Sequence, residues 1–303
     1  MSKTIKHAVL AIVAVVFLTG IVATVRADEA APAPTTSEQP AATSDTNAAP
    51  AAPTATNEMV DRGMTPLSTG EGEDKWTFNS PLYAWGIAMN GTVNARGQTI
   101  DVNQSFTDLA QHMQKGFTAY LELAKPQYGF YVNPNYFDLR WTSHGSGPNY
   151  TLDTTLWIIE SAGFYRIWNM EGDRPAALYV LGGARYWNLH NNLREQGTPA
   201  ALGSSNHWLL DPFFGLRFKE YITPRLHLGA QSDVGGFFNT GNTSRFSWQL
   251  MGTLGYDFTM PVVKMPSTVF AGWRQINDQK SNDNNGYNLT FSGILVGLNV
   301  QLF

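Results

Sequence analysis

From Trp76 to its end, the chain sets apolar against polar or small residues at alternate positions. The segments that do so are close to the roughly 9–11 residues a membrane-crossing β-strand needs. The clearest runs from Trp208 to Glu220: Trp208, Leu210, Pro212, Phe214, Leu216 and Phe218 share one face, and Asp211, Gly215, Arg217 and Lys219 share the other. Next, Leu226, Leu228, Ala230 and Val234 oppose His227, Gly229, Gln231, Asp233 and Gly235. Then Phe246, Trp248, Leu250, Leu254, Tyr256 and Phe258 oppose Ser247, Gln249, Thr253, Gly255 and Asp257. Earlier segments repeat the pattern at Tyr83 to Met89 and Phe117 to Leu123. A period of two on this scale predicts an all-β chain.

One segment breaks phase. Between Tyr128 and Thr142, Phe130 and Val132 share one parity while Phe137, Leu139 and Trp141 share the other. A β-bulge at Asn133-Pro134-Asn135 would absorb the slip, and proline inside a strand is tolerated at such a place. Further strands are expected over Tyr150 to Trp168, Ala176 to His190, Ser267 to Ile276 and Tyr287 to Phe303. That makes about ten, with eight as the other even count, forming a closed antiparallel transmembrane β-barrel because an unpaired edge cannot sit in lipid.

The connections fit this count. Lys125-Pro126-Gln127, Asn169 to Pro175, Tyr221 to Pro224 and Thr259 to Pro266 read as short turns at one end. Asn94 to Gln114, Ser143 to Asn149, Asn191 to Asn206, Phe238 to Ser244 and Asn277 to Gly286 read as longer outer loops. In the first of these, Phe106, Leu109 and Met113 have the spacing of a short amphipathic helix that turns toward the barrel mouth.

Composition places the start of the folded part. All nine Trp and all twelve Tyr lie at or after Trp76, and of seventeen Phe only Phe17 precedes it. Residues 1–27 carry Lys3 and Lys6, an apolar run from Ala8, and the terminal pattern Val25-Arg26-Ala27, the layout of a cleavable export signal with the mature chain beginning at Asp28. Residues 28–75 are rich in Ala, Pro, Thr and Ser and lack aromatics. Such a stretch buries too little apolar surface to order itself and is expected to be a flexible periplasmic linker spanning about 40 Å. Residues 76–303 would form the barrel.

Charge narrows the function. The chain has no cysteine, which removes disulfides, thiolate metal sites and cysteine nucleophiles. From Trp76 onward there are fifteen acidic and fifteen basic residues, so no basic face for nucleic acid is expected. A soluble β-sandwich is the competing fold, but its water-facing side would carry more charge than thirty residues supply over this length. The charges that do occur fall on the non-apolar parity, with Glu122, Asp138, Glu160, Asp211, Asp233 and Asp257 against Arg140, Arg166, Arg185, Arg217, Lys219 and Arg274. Six of each sign on one inward face predict a neutral, charge-paired lumen, with Asp211 and Arg217, Glu160 and Arg166, and Asp138 and Arg140 as pairs. A selective pore is the alternative use of the same residues; in a barrel this narrow, side chains fill the interior.

An aromatic first strand is followed by Gly91-Thr92-Val93, Arg96-Gly97-Gln98-Thr99-Ile100-Asp101-Val102 and Ser105-Phe106-Thr107-Asp108-Leu109. Gly183-Ala184-Arg185-Tyr186-Trp187, Asp211-Pro212-Phe213-Phe214-Gly215-Leu216-Arg217 and Asp233-Val234-Gly235-Gly236-Phe237 come later. In this ordered set the chain resembles the small outer-membrane barrel proteins of Gram-negative bacteria, in the wider OmpA- and OmpW-like group. The resemblance implies a barrel in the outer membrane among its lipids and lipopolysaccharide, and no shared chemistry. It also implies recognition by the assembly machinery through a last strand ending in Phe303, although Phe303 is one residue out of phase with Ile294, Val296, Leu298, Val300 and Leu302.

Catalytic signatures are sparse. The Asp-x-His element of ten-stranded outer-membrane proteases is missing at His144, His190 and His207. Ser204, Ser205, His207 and Asp211 are close in sequence, but strand geometry holds His207 and Asp211 about 13 Å apart. No Gly-x-Ser-x-Gly elbow or His-Glu-x-x-His pair occurs, and His190 with His207 alone is a thin basis for a metal. A structural or surface-interaction protein with no enzymatic activity and no cofactor is the reading, a narrow pore the first alternative, and a barrel-rim hydrolase the second. The external ligand stays open.

Overall fold

The structure, a computed structural model, describes residues 76–95, 98–143, 149–196, 201–260, 265–281 and 285–301. The expected export signal and linker, and the terminal Phe303, lie outside the described residues. The strands are β1 (Thr77–Asn79), β2 (Leu82–Ala95), β3 (Gln98–Gln104), β4 (Met113–Thr118), β5 (Leu121–Ala124), β6 (Tyr128–Thr142), β7 (Tyr150–Met170), β8 (Ala176–Glu195), β9 (Ala201–Tyr221), β10 (Leu226–Gly236), β11 (Phe246–Thr259), β12 (Pro266–Ser281) and β13 (Asn285–Val300), with one helix, α1 (Phe106–His112), between β3 and β4. All belong to one curled antiparallel sheet, in which β6 to β13 pair in chain order. β13 pairs onward with β2, β2 with β3, β1 with β5, and β4 and β5 with β6.

Thirteen strands stand where about ten were expected. Each segment from Tyr128 onward is one strand; the excess arises before it. Ser80 and Pro81 divide β1 from β2, and Pro81 has no N–H to give a ladder. Ala119 and Tyr120 divide β4 from β5, their amides donating instead to Pro134 O and Pro81 O, both at 3.0 Å. β3 is an addition, formed where a loop was expected. Around these breaks Asn79 bridges Gln301, Leu82 bridges Ala119, and Ser80 N donates to Val300 O at 3.3 Å.

The segment from Asn94 to Gln114 is therefore mostly regular structure. Ser105 caps α1, accepting from Asp108 N while Asp108 accepts from Ser105 N, both at 3.2 Å. Leu109 is buried in the main apolar cluster with Met113 packed against it, and Phe106 is half exposed beside Gly86. The His112 ring stacks on Trp141 at 5.7 Å. Leu109→Ala is expected to cost about 2 kcal/mol, the low end for a buried leucine because a one-sided helix can settle, and to speed proteolytic cleavage between residues 104 and 113.

The bulge expected at Asn133-Pro134-Asn135 does not form. β6 pairs with β7 from Tyr128 to Thr142 without a shift of register. What changes is the chemistry of the faces. Phe130 is half exposed on the convex side, whereas Phe137, Leu139 and Trp141 are buried on the concave side, leaving Asp138 and Arg140 convex. The same reversal recurs round the sheet. In β9, Trp208, Leu210, Phe214 and Leu216 are exposed on the convex face, and beyond Trp208 that face carries Asn206 and Ser204. In β12 and β13, convex Trp273 and Ile294 give way to Gln275, Asn277, Ser292 and Thr290, while concave Ile276 and Phe291 are buried.

The concave face accordingly holds two kinds of interior. Ile158, Trp187 and Leu209, in one cross-strand row, join Ile276, Phe291, Leu289, Trp85, Ile87 and Val93 in an apolar cluster toward the hairpin ends at Thr142, Glu195 and Ser281. Below that row charged side chains share the concave face with a second apolar cluster of Tyr131, Ala162, Phe164, Leu181 and Phe213.

Candidate functional site: the buried charged interior

One concave cross-strand row runs from Glu160 of β7 through Arg185 of β8 to Asp211 of β9. Glu160 accepts from Arg185 Nε and from Arg274 Nη2, both at 2.6 Å, and from Asn133 Nδ2 at 3.2 Å. Arg185 also donates to Asp233 at 2.7 Å, and Asp233 accepts from Gln249 Nε2 at 2.9 Å. Arg274 reaches Gln249 Oε1 at 2.9 Å and Tyr83 OH at 3.2 Å. Side chains of all four ions are at most 1% exposed. Two guanidiniums and two carboxylates thus balance in charge, with neutral amides and a phenol meeting several of the other donors and acceptors, while Arg185 Nη1 is buried without a hydrogen-bond partner among the described residues. Both guanidiniums also lie on aromatic faces, Arg185 over Phe213 at 5.0 Å and Arg274 over Trp85 at 4.8 Å.

A second group lies nearer the turns at Lys125 and Tyr221. Arg217 donates to Glu122 at 2.8 Å, to Gln231 at 3.2 Å and to the Tyr120 hydroxyl, with its guanidinium over Phe164 and Tyr131 at 4.6 and 4.9 Å. Asp257 accepts from Thr268 Oγ1 at 2.5 Å and lies 3.2 Å from His227 Nδ1. The Lys219 ammonium sits over the Tyr221 ring at 5.1 Å.

The structure thus pairs the expected residues differently from the pairing expected along the strands. Arg217 turns to Glu122 across the concave space, and Asp211 instead accepts from Ser244 N and Oγ, both at 2.7 Å. Arg166 does not meet Glu160; its guanidinium donates to Gln127 Oε1 at 3.2 Å. Asp138 and Arg140 are not interior at all. Arg140 is on the convex face, bonded to Asp153 at 2.6 Å, and Arg194 bonds the other oxygen of Asp153. The cause is the reversal of faces within β6: parity was carried through unchanged in position, but the polar side above Asn135 is the outer one.

Tyr83, Tyr120, Tyr131, Asn133, Asn135, Gln231 and Gln249, none of them charged, complete these networks. Parity is their signal in the chain for five of the seven: Tyr120 and Gln231 lie two positions from Glu122 and Asp233, and Tyr131, Asn133 and Gln249 pair across one strand with Glu122, Glu160 and Asp233, whereas Tyr83 and Asn135 have no charged residue so placed. His190 and His207 fall on opposite faces, since His190 pairs with Asn206 and His207 with Leu189. Among the described residues no group of three potential metal ligands occurs. The interior can hold charge in fixed positions.

No protein-family model matches the chain, and none of the curated proteins matches it. Among solved structures it is similar to the outer membrane protease OmpT from Escherichia coli, with 9% identity and a TM-score of 0.42 over 78% of this chain and 100% of that one. It is also similar to Ail, the attachment invasion locus protein of Yersinia pestis, in complex with the heparin analogue sucrose octasulfate, with 11% identity and a TM-score of 0.35 over 76% and 100% of the two chains. A third is the translocator domain of the autotransporter NalP from Neisseria meningitidis, at 12% identity and a TM-score of 0.34 over 75% and 90%. No assignment of role rests on these similarities.

Proposed function

We propose that the chain is an outer-membrane β-barrel of ten staves with a filled interior, which holds an extended β-structure at the cell surface in a structural or surface-interaction role. The observation that carries this reading is the reversal of faces. Over the eleven positions from Trp208 to Phe218, β9 turns only apolar side chains outward, the length that crosses a bilayer. Exposed to water, so wide an apolar band would be an aggregation surface; against lipid it carries no such cost. Beyond Trp208 the outward residues of β9 are Asn206 and Ser204 before an exposed Leu202, while at the same end β6, β7 and β8 turn Trp141, Leu152, Leu156, Leu189 and Leu193 inward, as a segment standing in water requires. β7, β8 and β9, at 21, 20 and 21 residues, are long enough to do both.

Ten staves follow from counting β1 with β2 as one and β4 with β5 as another, β3 and α1 being an insertion between them. On that count the first stave touches the last through β13 and the second through β5, and the sheet has no edge in the lipid. The chain contains no cysteine, so an engineered pair reports cleanly. Asn79→Cys with Gln301→Cys is expected to form an intramolecular disulfide in the folded protein and to alter its mobility on an unreduced gel; free thiols in the folded double variant would contradict closure.

Buried ion pairs below and the aromatic cluster above support a lumen without bore, as small-barrel geometry favours. No catalytic role is assigned, and outer-leaflet lipids with lipopolysaccharide are the surroundings of the band. Protein reconstituted in a planar bilayer is expected to show no steady conductance. Stable, salt-dependent openings would move the narrow-pore reading into its place.

A further inference from the structure

On the convex side, where β2, β12 and β13 reach their polar ends, lies a pocket of about 190 Å³. Its walls include Thr92 and Asn94 of β2, Gln279 and Ser281 of β12, Asn288 of β13, and Arg245 from the turn before β11. At about 30 Å³ per water it holds roughly six water volumes, the scale of one hexose unit. Every wall group just named bears a hydroxyl or an amide except the arginine.

Charge is what distinguishes this pocket. Lys280 also lines it, and its ammonium donates to three carbonyl oxygens, those of Gly241 at 2.6 Å, Thr240 at 3.2 Å and Thr243 at 3.3 Å. Those contacts use all three N–H groups, so Lys280 fixes the 240–243 turn and contributes charge without a free donor. Arg245 is exposed, its backbone held by Gln279 O at 2.8 Å, while its guanidinium has no hydrogen-bond or ion-pair partner among the described residues. No carboxylate is among the lining side chains of the described residues. Asp278 lies on the opposite face of β12 from Gln279 and Ser281, accepting from Tyr287 OH at 2.7 Å, and Asp101 stands beyond Thr92 on β3. Two cations therefore line one polar recess: Lys280, which shares its face of β12 with Asp278, and Arg245, whose guanidinium has no ion-pair partner among the described residues.

Position supplies the rest. Arg245 precedes Phe246, and the outward series of β11 continues through Trp248 to Leu250, which is 54% exposed. Phe237, 48% exposed, packs on both Phe214 and Phe246. The pocket thus opens where an aromatic, apolar surface meets amide and hydroxyl groups. An amphiphile lying there would place chains along Leu250 and Trp248 and its head in the recess.

We propose that this pocket binds the phosphorylated saccharide headgroup of a glycolipid in the outer leaflet, Arg245 taking a phosphate through paired N–H groups and the surrounding amides and hydroxyls taking sugar oxygens. A guanidinium suits phosphate because its planar N–H pairs match two oxygens at once. The inference rests on the membrane reading above and names a partner for its outer rim.

The test uses the full mature chain in lipid nanodiscs containing a bisphosphorylated lipid A-type glycolipid, with retained glycolipid counted by native mass spectrometry. Wild type is expected to retain one molecule, and Arg245→Gln, which removes no internal contact, to lower retention at least tenfold. The same glycolipid stripped of phosphate should bind wild type as weakly as the variant binds the intact one. Free glucosamine phosphate should not compete at equal concentration, since the chains lie on the apolar surface. Undiminished retention by Arg245→Gln, indifference to phosphate, or equal competition by the free sugar would each overturn the site. Failure of the wild type to enter nanodiscs would overturn the membrane reading and the site together; insertion with undiminished binding by the variant overturns the site alone.

Discussion

Replacing Glu160 by alanine is expected to destabilise the folded chain by about 3–5 kcal/mol, the range for removing one partner of a buried ion pair. Glu160 is the only carboxylate that bonds both Arg185 and Arg274 among the described residues. Its removal leaves Asp233 to compensate two guanidiniums, one of which it does not touch, and leaves Asn133 Nδ2 without its acceptor. The measurement is the urea midpoint of reversible unfolding, followed by tryptophan fluorescence, since Trp85 lies against Arg274. Arg140→Ala provides the contrast. Its ion pair is on the convex side with the arginine 47% exposed, and pairs of that kind contribute at most about 1 kcal/mol. Equal midpoints for the two variants would contradict the assignment of Glu160 to a dry interior.

The second large effect concerns Gly215, which pairs with Asp233 across β9 and β10. A Cβ there would lie 2.1 Å from Ser232 O and 2.6 Å from Asp233 Cβ. Backbone atoms cannot yield as a long side chain does, so Gly215→Val must part the two strands or push Asp233 away from Arg185. Overpacking typically costs about 1–3 kcal/mol and occasionally more; with the ion pair displaced as well, about 3 kcal/mol or more is expected. Gly252→Ala, whose added Cβ would meet nothing within 4 Å, should leave the midpoint nearly unchanged. A variant at Gly215 as stable as that at Gly252 would show that the strands are not so closely apposed.

Where a residue sits along a strand decided how well it could be read beforehand. Trp208 to Phe218 alternates over its whole length because lipid-like and polar surroundings persist on its two sides, and its faces were correctly assigned. β6 crosses from one regime to the other. Its change of parity at Asn133 to Asn135 was visible, but alternation alone cannot tell a bulge, which moves the backbone, from an exchange of environments, which does not. Asp138 and Arg140 were misplaced for that reason. The segment around α1 shows the same ambiguity in another form: Phe106, Leu109 and Met113 have helical spacing, and the helix is there, yet the β3 hairpin before it depends on an edge of β2 that only the assembled sheet offers.

Period-two patterning, local in the chain, determined that this protein is all-β, roughly where its strands lie, and which residue types face each way within one strand, because successive side chains in a strand must alternate. Tertiary structure alone decided which ions meet. Arg217 and Glu122 are separated by 95 positions, and Arg274 and Glu160 by 114, and neither pair shares an adjoining strand. Such partners come together only when the sheet curls, a property of strand twist and number rather than of any local segment. Along-strand neighbours such as Asp211 and Arg217 could not pair, since six residues of extended chain hold them about 20 Å apart, whereas a guanidinium reaching across the concave space needs only the length of its own side chain.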